Sequence, residues 1–182
     1  ATVLPSNADV VGAFTNGVSS AINFTLKKAE ILAGIVASDG TLSGTSATLT
    51  INPSSTNNLG LSVNPASPQA NTSFNLTVTA RVIFNNTTPS YAGTVVFSFV
   101  SGAPNTTGLP NNQTFVVGDA GVRVLPITLG SSQIGVHIRA TDISSSAIQG
   151  DITFDVVPQV LSGITVNAVP VNSLGQATDS YL

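Results

Sequence analysis

The sequence predicts an all-β protein, a β-sandwich with extra strands at its ends. Three observations carry that prediction. Apolar and polar residues alternate along several short stretches, and turn residues punctuate those stretches at regular spacing. Apolar residues make up 42% of the chain and charged residues only 7%, against roughly 25% charged in an ordinary soluble domain. Intrinsic disorder does not fit, because disordered chains are poor in apolar residues and rich in charge. At 182 residues the chain can bury one good core, or one core plus a smaller β-rich appendage.

Taken in order, residues 1–14 form an N-terminal extension that alternates poorly and contains Pro5. Residues 15–58 are an additional β-rich segment. Within 20–26, Ile22, Phe24 and Leu26 alternate against Asn23 and Thr25, which predicts a strand. Val18, Ala21, Ile22, Thr25 and Ala29 also fit one face of a helix over 18–36, and strand is the preferred reading. Two further strands are expected at 31–36 and 47–51. The clearest alternation starts at Phe74: Phe74, Leu76, Val78, Ala80, Val82 and Phe84 share one face, with Ser73, Asn75, Thr77, Thr79 and Arg81 on the other. The same pattern recurs in Leu59, Leu61 and Val63, in Ile134, Val136, Ile138 and Ala140, and in Ile152, Phe154 and Val156. Turns are expected at Asn64-Pro65, Asn85-Asn86, Ser101-Gly102, Gly118-Asp119, Gly130-Ser131 and Gly150-Asp151. The sandwich is thereby bounded at 59–158. Residues 159–182 add one more alternating strand, with Ile164, Val166 and Ala168 on one face, and a polar tail.

Over those hundred or so residues the order of motifs resembles the immunoglobulin-like repeats of prokaryotic surface proteins. Tyr91-Ala92-Gly93-Thr94-Val95 is followed by Thr114-Phe115, then Asp119-Ala120-Gly121-Val122, then Ala140-Thr141-Asp142 ahead of a Ser-rich hairpin and a closing alternating strand. The resemblance implies a sandwich used as a spacer or binding module, with no chemistry of its own.

Seven Asn-x-Ser/Thr sequons begin at Asn23, Asn71, Asn75, Asn85, Asn86, Asn105 and Asn112. Asn52 and Asn64 do not qualify, because proline follows each. Asn23 and Asn75 lie on the polar phase of their strands and the others in turns or at strand ends, where a bulky sugar has room. Covalent N-glycans are therefore expected. Asn85 and Asn86 are adjacent, so one of the two is expected to carry sugar.

Catalytic constellations are nearly absent. His137 is the one histidine and sits on an outward phase beside Arg139, without a nominated serine and carboxylate to complete a triad. Glu30 is the one glutamate, and the aspartates fall mostly in turns, so no glycosidase pair is suggested. Asp119 and Asp142 read as turn caps. Cysteine is missing, which excludes thiol catalysis and disulfides. No enzyme, cofactor or metal site is expected. Five basic residues and a formal charge of −3 offer no nucleic-acid patch. No stretch approaches the roughly 20 apolar residues of a membrane helix, and the longest candidate, 18–38, is interrupted by Lys27, Lys28 and Glu30. The chain opens at Ala1 with no basic n-region, as a secreted protein does once its signal peptide is removed. A surface this poor in ionisable groups is compatible with an acidic habitat.

A sandwich with surplus terminal strands suits donor-strand complementation, in which a terminal strand of one subunit completes a sheet of the next. At this level the profile of sequons, absent cysteine and scarce charge resembles the subunits of archaeal, Sulfolobus-type thread filaments. Together the two resemblances imply an immunoglobulin-like or pilin-like β-sandwich, and the second implies a glycosylated extracellular homopolymer serving adhesion or biofilm formation, with identical subunits, other cells or surfaces as partners. Two candidate donors remain open: the N-terminal extension, with Val3, Val10, Val11 and Phe14, and the C-terminal strand, with Ile164, Val166 and Ala168. The alternatives are a glycosylated cell-envelope coat subunit and a carbohydrate-binding or adhesive module.

Overall fold

A computed structural model describes residues 14–19, 25–38, 40–101 and 108–160. Its strands, in chain order, are β1 (Glu30–Leu32), β2 (Val36–Ser38), β3 (Ser43–Thr45), β4 (Leu49–Ile51), β5 (Asn58–Asn64), β6 (Ser73–Arg81), β7 (Thr94–Ser101), β8 (Gln113–Thr114), β9 (Val122–Thr128), β10 (Gln133–Asp142) and β11 (Gln149–Val156). The fold is all-β, and every ladder between these strands is antiparallel. Among the described residues no helix is long and apolar enough to cross a membrane.

Two sheets enclose one core, with strand orders β5-β6-β9 and β11-β10-β7-β8. The long strands each turn an apolar phase inward. Leu76, Val78 and Ala80 of β6 and Leu125 and Ile127 of β9 face Val95 and Phe97 of β7, Val136, Ile138 and Ala140 of β10, and Phe154 and Val156 of β11. Phe74 and Phe154 meet edge to face across the two sheets, with ring centroids 5.8 Å apart. Each such side chain, once buried, contributes roughly 1.5–3 kcal/mol, which is what makes the alternation visible in the sequence.

One edge of the sandwich is closed by β5 and β11. Beyond β5, Ala70 N–H donates to the Val157 carbonyl and Val157 N–H to the Pro68 carbonyl, both at 2.9 Å, a parallel bridge. Gly150 lies within β11, where the sequence suggests a turn. A Cβ there would collide with the Leu59 carbonyl of β5, so this glycine marks a close approach of two backbones instead of a chain reversal.

Two other apolar residues depart from the expected inward phase. β6 ends at Arg81, and a tight turn follows in which Asn85 N–H and the Val82 carbonyl, then Val82 N–H and the Asn86 carbonyl, bond at 2.9 Å. Asn85 takes φ +62° at its corner. Val82 still reaches the core, but Phe84 is 50% exposed and lies beneath Lys27, whose Nζ is 5.3 Å from the ring centroid. In β10 the ladder shifts register between Gln133 and Val136 around Gly135 at φ +71°. This bulge turns Ile134 outward, 85% exposed, because one extra residue reverses the side-chain phase.

Ahead of the sandwich, β1 pairs with β4 and β2 with β3 in a common register. The four strands are one long hairpin, interrupted at 33–35 opposite 46–48. At the interruption the Ser46 hydroxyl accepts from Ile35 N–H at 2.9 Å and a Cβ at Gly34 would press on the Ser46 carbonyl. The expected strand at 31–36 is thus split in two, and β3, sequence Ser-Gly-Thr, has no apolar alternation to announce it. Of the strand expected at 20–26, residues 20–24 lie outside the described residues, and Thr25 and Leu26 are not in a strand. The helical alternative over 18–36 fails where β1 occupies Glu30–Leu32.

Candidate assembly surfaces and glycan acceptors

The three aspartate-bearing or tyrosine-bearing motifs converge at one end of the core. The Tyr91 hydroxyl donates to Asp142 Oδ2 at 2.5 Å, and the Tyr91 ring meets Phe115 edge to face at 5.1 Å. Asp142 is buried, and its Oδ1 accepts from Ser144 N–H at 2.7 Å and Ser145 N–H at 3.1 Å, holding the turn between β10 and β11. Gly93 is required here, since a Cβ would strike both Asp142 Oδ2 and the tyrosine ring. Asp119 Oδ2 accepts from Val116 N–H at 2.8 Å. Both aspartates therefore cap turns, with Asp142 also serving as a buried tie between β10 and the segment before β7. Burial, followed by the hydrogen bond to Asp142 and its charge, pushes the Tyr91 phenol far above its ordinary range.

His137 faces partly outward with Arg139, and the structure adds a residue that the sequence did not nominate. Asp151, read as a turn residue, sits opposite on β11. It accepts from Arg139 Nε at 2.7 Å and Nη2 at 3.2 Å, and lies 3.2 Å from His137 Nε2. The Arg139 guanidinium holds the Asp151 carboxyl below the usual aspartate range. The carboxylate is thus committed to an exposed ion pair across two strands.

Five of the sequon asparagines lie among the described residues. Asn71, Asn75, Asn85 and Asn112 are exposed, while Asn86 is half-buried. Asn75 stands on the outer face of β6, opposite Asn64 and Pro126. Asn86 is the exception: its Nδ2 donates to the Lys27 carbonyl at 2.6 Å and its Oδ1 accepts from Ala29 N–H at 3.3 Å. Asn23 and Asn105 lie outside the described residues.

The hairpin β1–β4 presents an exposed apolar surface. Ile31, Val36 and Leu42 are 72%, 63% and 73% exposed, and an apolar groove is lined by Ile35, Ala37, Gly44, Thr45, Ser46 and Leu49. The hairpin's strands pack on each other and not broadly on any sandwich strand. Lys28 is paired with Glu30 at 2.5 Å, which leaves the hairpin face without a free lysine of its own among the described residues. A second open feature is the outer edge of β7: β8 pairs with Thr94 and Val95, and from Val96 onward no described strand lies beside it. Among the described residues no strand lies beside the outer edge of β9 either, but that edge carries Pro126, a residue that blunts edges because it cannot donate to an added ladder. Of the candidate donor residues, Phe14 is described and is exposed. Val3, Val10, Val11, Ile164, Val166 and Ala168 lie outside the described residues.

No protein-family model matches this sequence, and no curated protein matches it either.

Proposed function

We propose that this chain is a structural subunit of an extracellular, N-glycosylated filament, polymerised head to tail by strand donation and serving adhesion or biofilm formation. The observation that carries the reading is the hairpin β1–β4. An isolated two-stranded ribbon is marginal in water, and this one has exposed Ile31, Val36 and Leu42 to cover and, among the described residues, no strand beside its outer edges. A strand from an identical subunit supplies both needs at once: its backbone pairs with an edge and its alternate side chains fill the groove. The open edge of β7 offers a second place of the same kind.

The sandwich order, β5-β6-β9 against β11-β10-β7-β8, supports the immunoglobulin-like reading, and the meeting of Tyr91, Phe115 and Asp142 gives its motif residues a structural task. Exposed Asn71, Asn75, Asn85 and Asn112 support a sugar coat, which would supply the hydration that so few charges cannot. The proposed donor is the extension 1–14, with the strand around Ile164, Val166 and Ala168 as its rival.

The test is negative-stain electron microscopy of the protein purified from its source, followed by heating in SDS. Thin unbranched fibres that resist dissociation are expected, and removal of residues 1–14 abolishes them. Two-dimensional sheets would make the chain a coat subunit. Monomers alone, at concentrations where fibres persist, would sink the filament reading.

A further inference from the structure

From the geometry of the overlapping sequons we infer that Asn85 is the glycan-bearing residue and that Asn86 is a bare clasp holding the arm that leads to the hairpin. This rests on the reading of the chain as a glycoprotein and decides between two adjacent acceptors that the sequence leaves equivalent.

The Asn86 carboxamide bonds the two sides of one residue of the arm. Its nitrogen donates to the carbonyl of Lys27 and its oxygen accepts from the N–H of Ala29, so both bonds lie along the same edge of the amide plane. The hydrogen used is the one on the oxygen's side. A sugar linked to that nitrogen makes a secondary amide, and a planar trans amide places the new carbon on the oxygen's side and the remaining hydrogen opposite. The sugar would therefore occupy the position of the hydrogen that now bonds Lys27. Modification of Asn86 and closure of the clasp exclude each other.

The third residue of each sequon points the same way. Thr88, which completes the Asn86 sequon, is buried, and its hydroxyl has no hydrogen-bond partner. Thr87, which completes the Asn85 sequon, is half-buried. Asn85 itself is exposed at the corner of the turn, and no side-chain bond like those of Asn86 stands in the way of a sugar there. The clasp is reinforced on the neighbouring residues by Lys27 over the Phe84 ring. Together these contacts fix the path of 27–29 immediately before β1, so Asn86 positions the base of the hairpin.

Glycopeptide mapping of the natively produced protein tests this, with electron-transfer fragmentation to localise sugar within the tryptic peptide 82–123. Sugar on Asn85 and none on Asn86 is expected. Sugar on Asn86, or a bare pair beside an occupied Asn75, overturns the inference while leaving the glycoprotein reading intact. If every sequon is bare, both fall. A second measurement uses Asn86→Ala, which preserves the Asn85 sequon as Asn-Ala-Thr. This variant keeps the Asn85 sugar and is cut by trypsin after Lys27 and Lys28 roughly tenfold faster, as expected when a local tether of two hydrogen bonds is lost. An unchanged cleavage rate rejects the clasp. Asn85→Gln leaves the Asn86 sequon intact, and the pair then becomes bare; transfer of sugar to Asn86 in that variant also rejects it.

Discussion

Tyr91 and Asp142, separated by 51 residues, are joined by a 2.5 Å hydrogen bond inside the sandwich. The bond ties the segment entering β7 to the end of β10, and the same carboxylate holds two backbone N–H groups of the following turn. A buried carboxylate is costly unless its lone pairs are occupied, and here three donors occupy them. The motif residues that resemble those of surface-protein repeats thus act as a structural fastening.

Removing either partner has an unequal effect. Tyr91→Phe deletes one donor to a charged group and is expected to cost about 1–3 kcal/mol. Asp142→Ala deletes the acceptor of three bonds and strands the buried phenol, and about 2–4 kcal/mol is expected. Urea unfolding of both single variants and the double variant checks this. A double variant no less stable than Asp142→Ala would confirm that the two residues act through each other.

The same pair predicts alkaline sensitivity. The folded Tyr91 phenol titrates above its unfolded value, so at high pH the unfolded chain loses a proton that the native state retains. Its contribution is full below the ordinary tyrosine range, near pH 10, and declines as pH rises from there toward the raised folded value. Unfolding midpoints followed upward from pH 9 should fall, and the fall should be smaller in Tyr91→Phe. Phenolate absorbance in a Tyr181→Phe background should show Tyr91 resisting ionisation until the protein unfolds.

Gly150→Ala is expected to destabilise the sandwich by about 1–3 kcal/mol or more, because the methyl group meets the Leu59 backbone and β5 must move. Gly118→Ala, at a glycine with open space around it, is expected to stay within about 0.5 kcal/mol of the parent. Equal effects in thermal unfolding would contradict the close approach of β5 and β11.

The inward phases of β5, β6 and β11 were legible because burial on one side of a pleated strand imposes a period of two on the sequence. What escaped was non-local. Ile134 fits the alternation of β10 by sequence, and only the bulge at Gly135 turns it out. Gly150 carries the same letter whether it reverses the chain or admits a neighbouring backbone. Asp151 looked like a turn residue for that reason, and its pairing with Arg139 depended on the β10–β11 register. Asn85 and Asn86 are identical as sequons, and differ because the arm at 27–29 passes beside one of them. β3 escaped because Ser-Gly-Thr is held by its partner strand and not by an apolar face.

In the proposed filament the hairpin would separate assembly from folding. Ile31, Val36 and Leu42 are exposed in the subunit, so replacing them by serine or threonine removes little buried apolar area from the monomer. Stability of the sandwich should change by less than about 0.5 kcal/mol per site, as at other exposed positions. In the proposed polymer the same side chains would lie under a donated strand, and each would lose roughly 1.5–3 kcal/mol of burial when replaced by a polar residue. The triple variant Ile31→Ser, Val36→Thr, Leu42→Ser should therefore unfold at the parental urea midpoint as a monomer while its fibres dissociate in SDS at lower temperature. Fibres as resistant as the parent's would place the acceptor elsewhere, with the open edge of β7 as the next candidate, and Val96→Lys and Val100→Lys would then be the variants to compare.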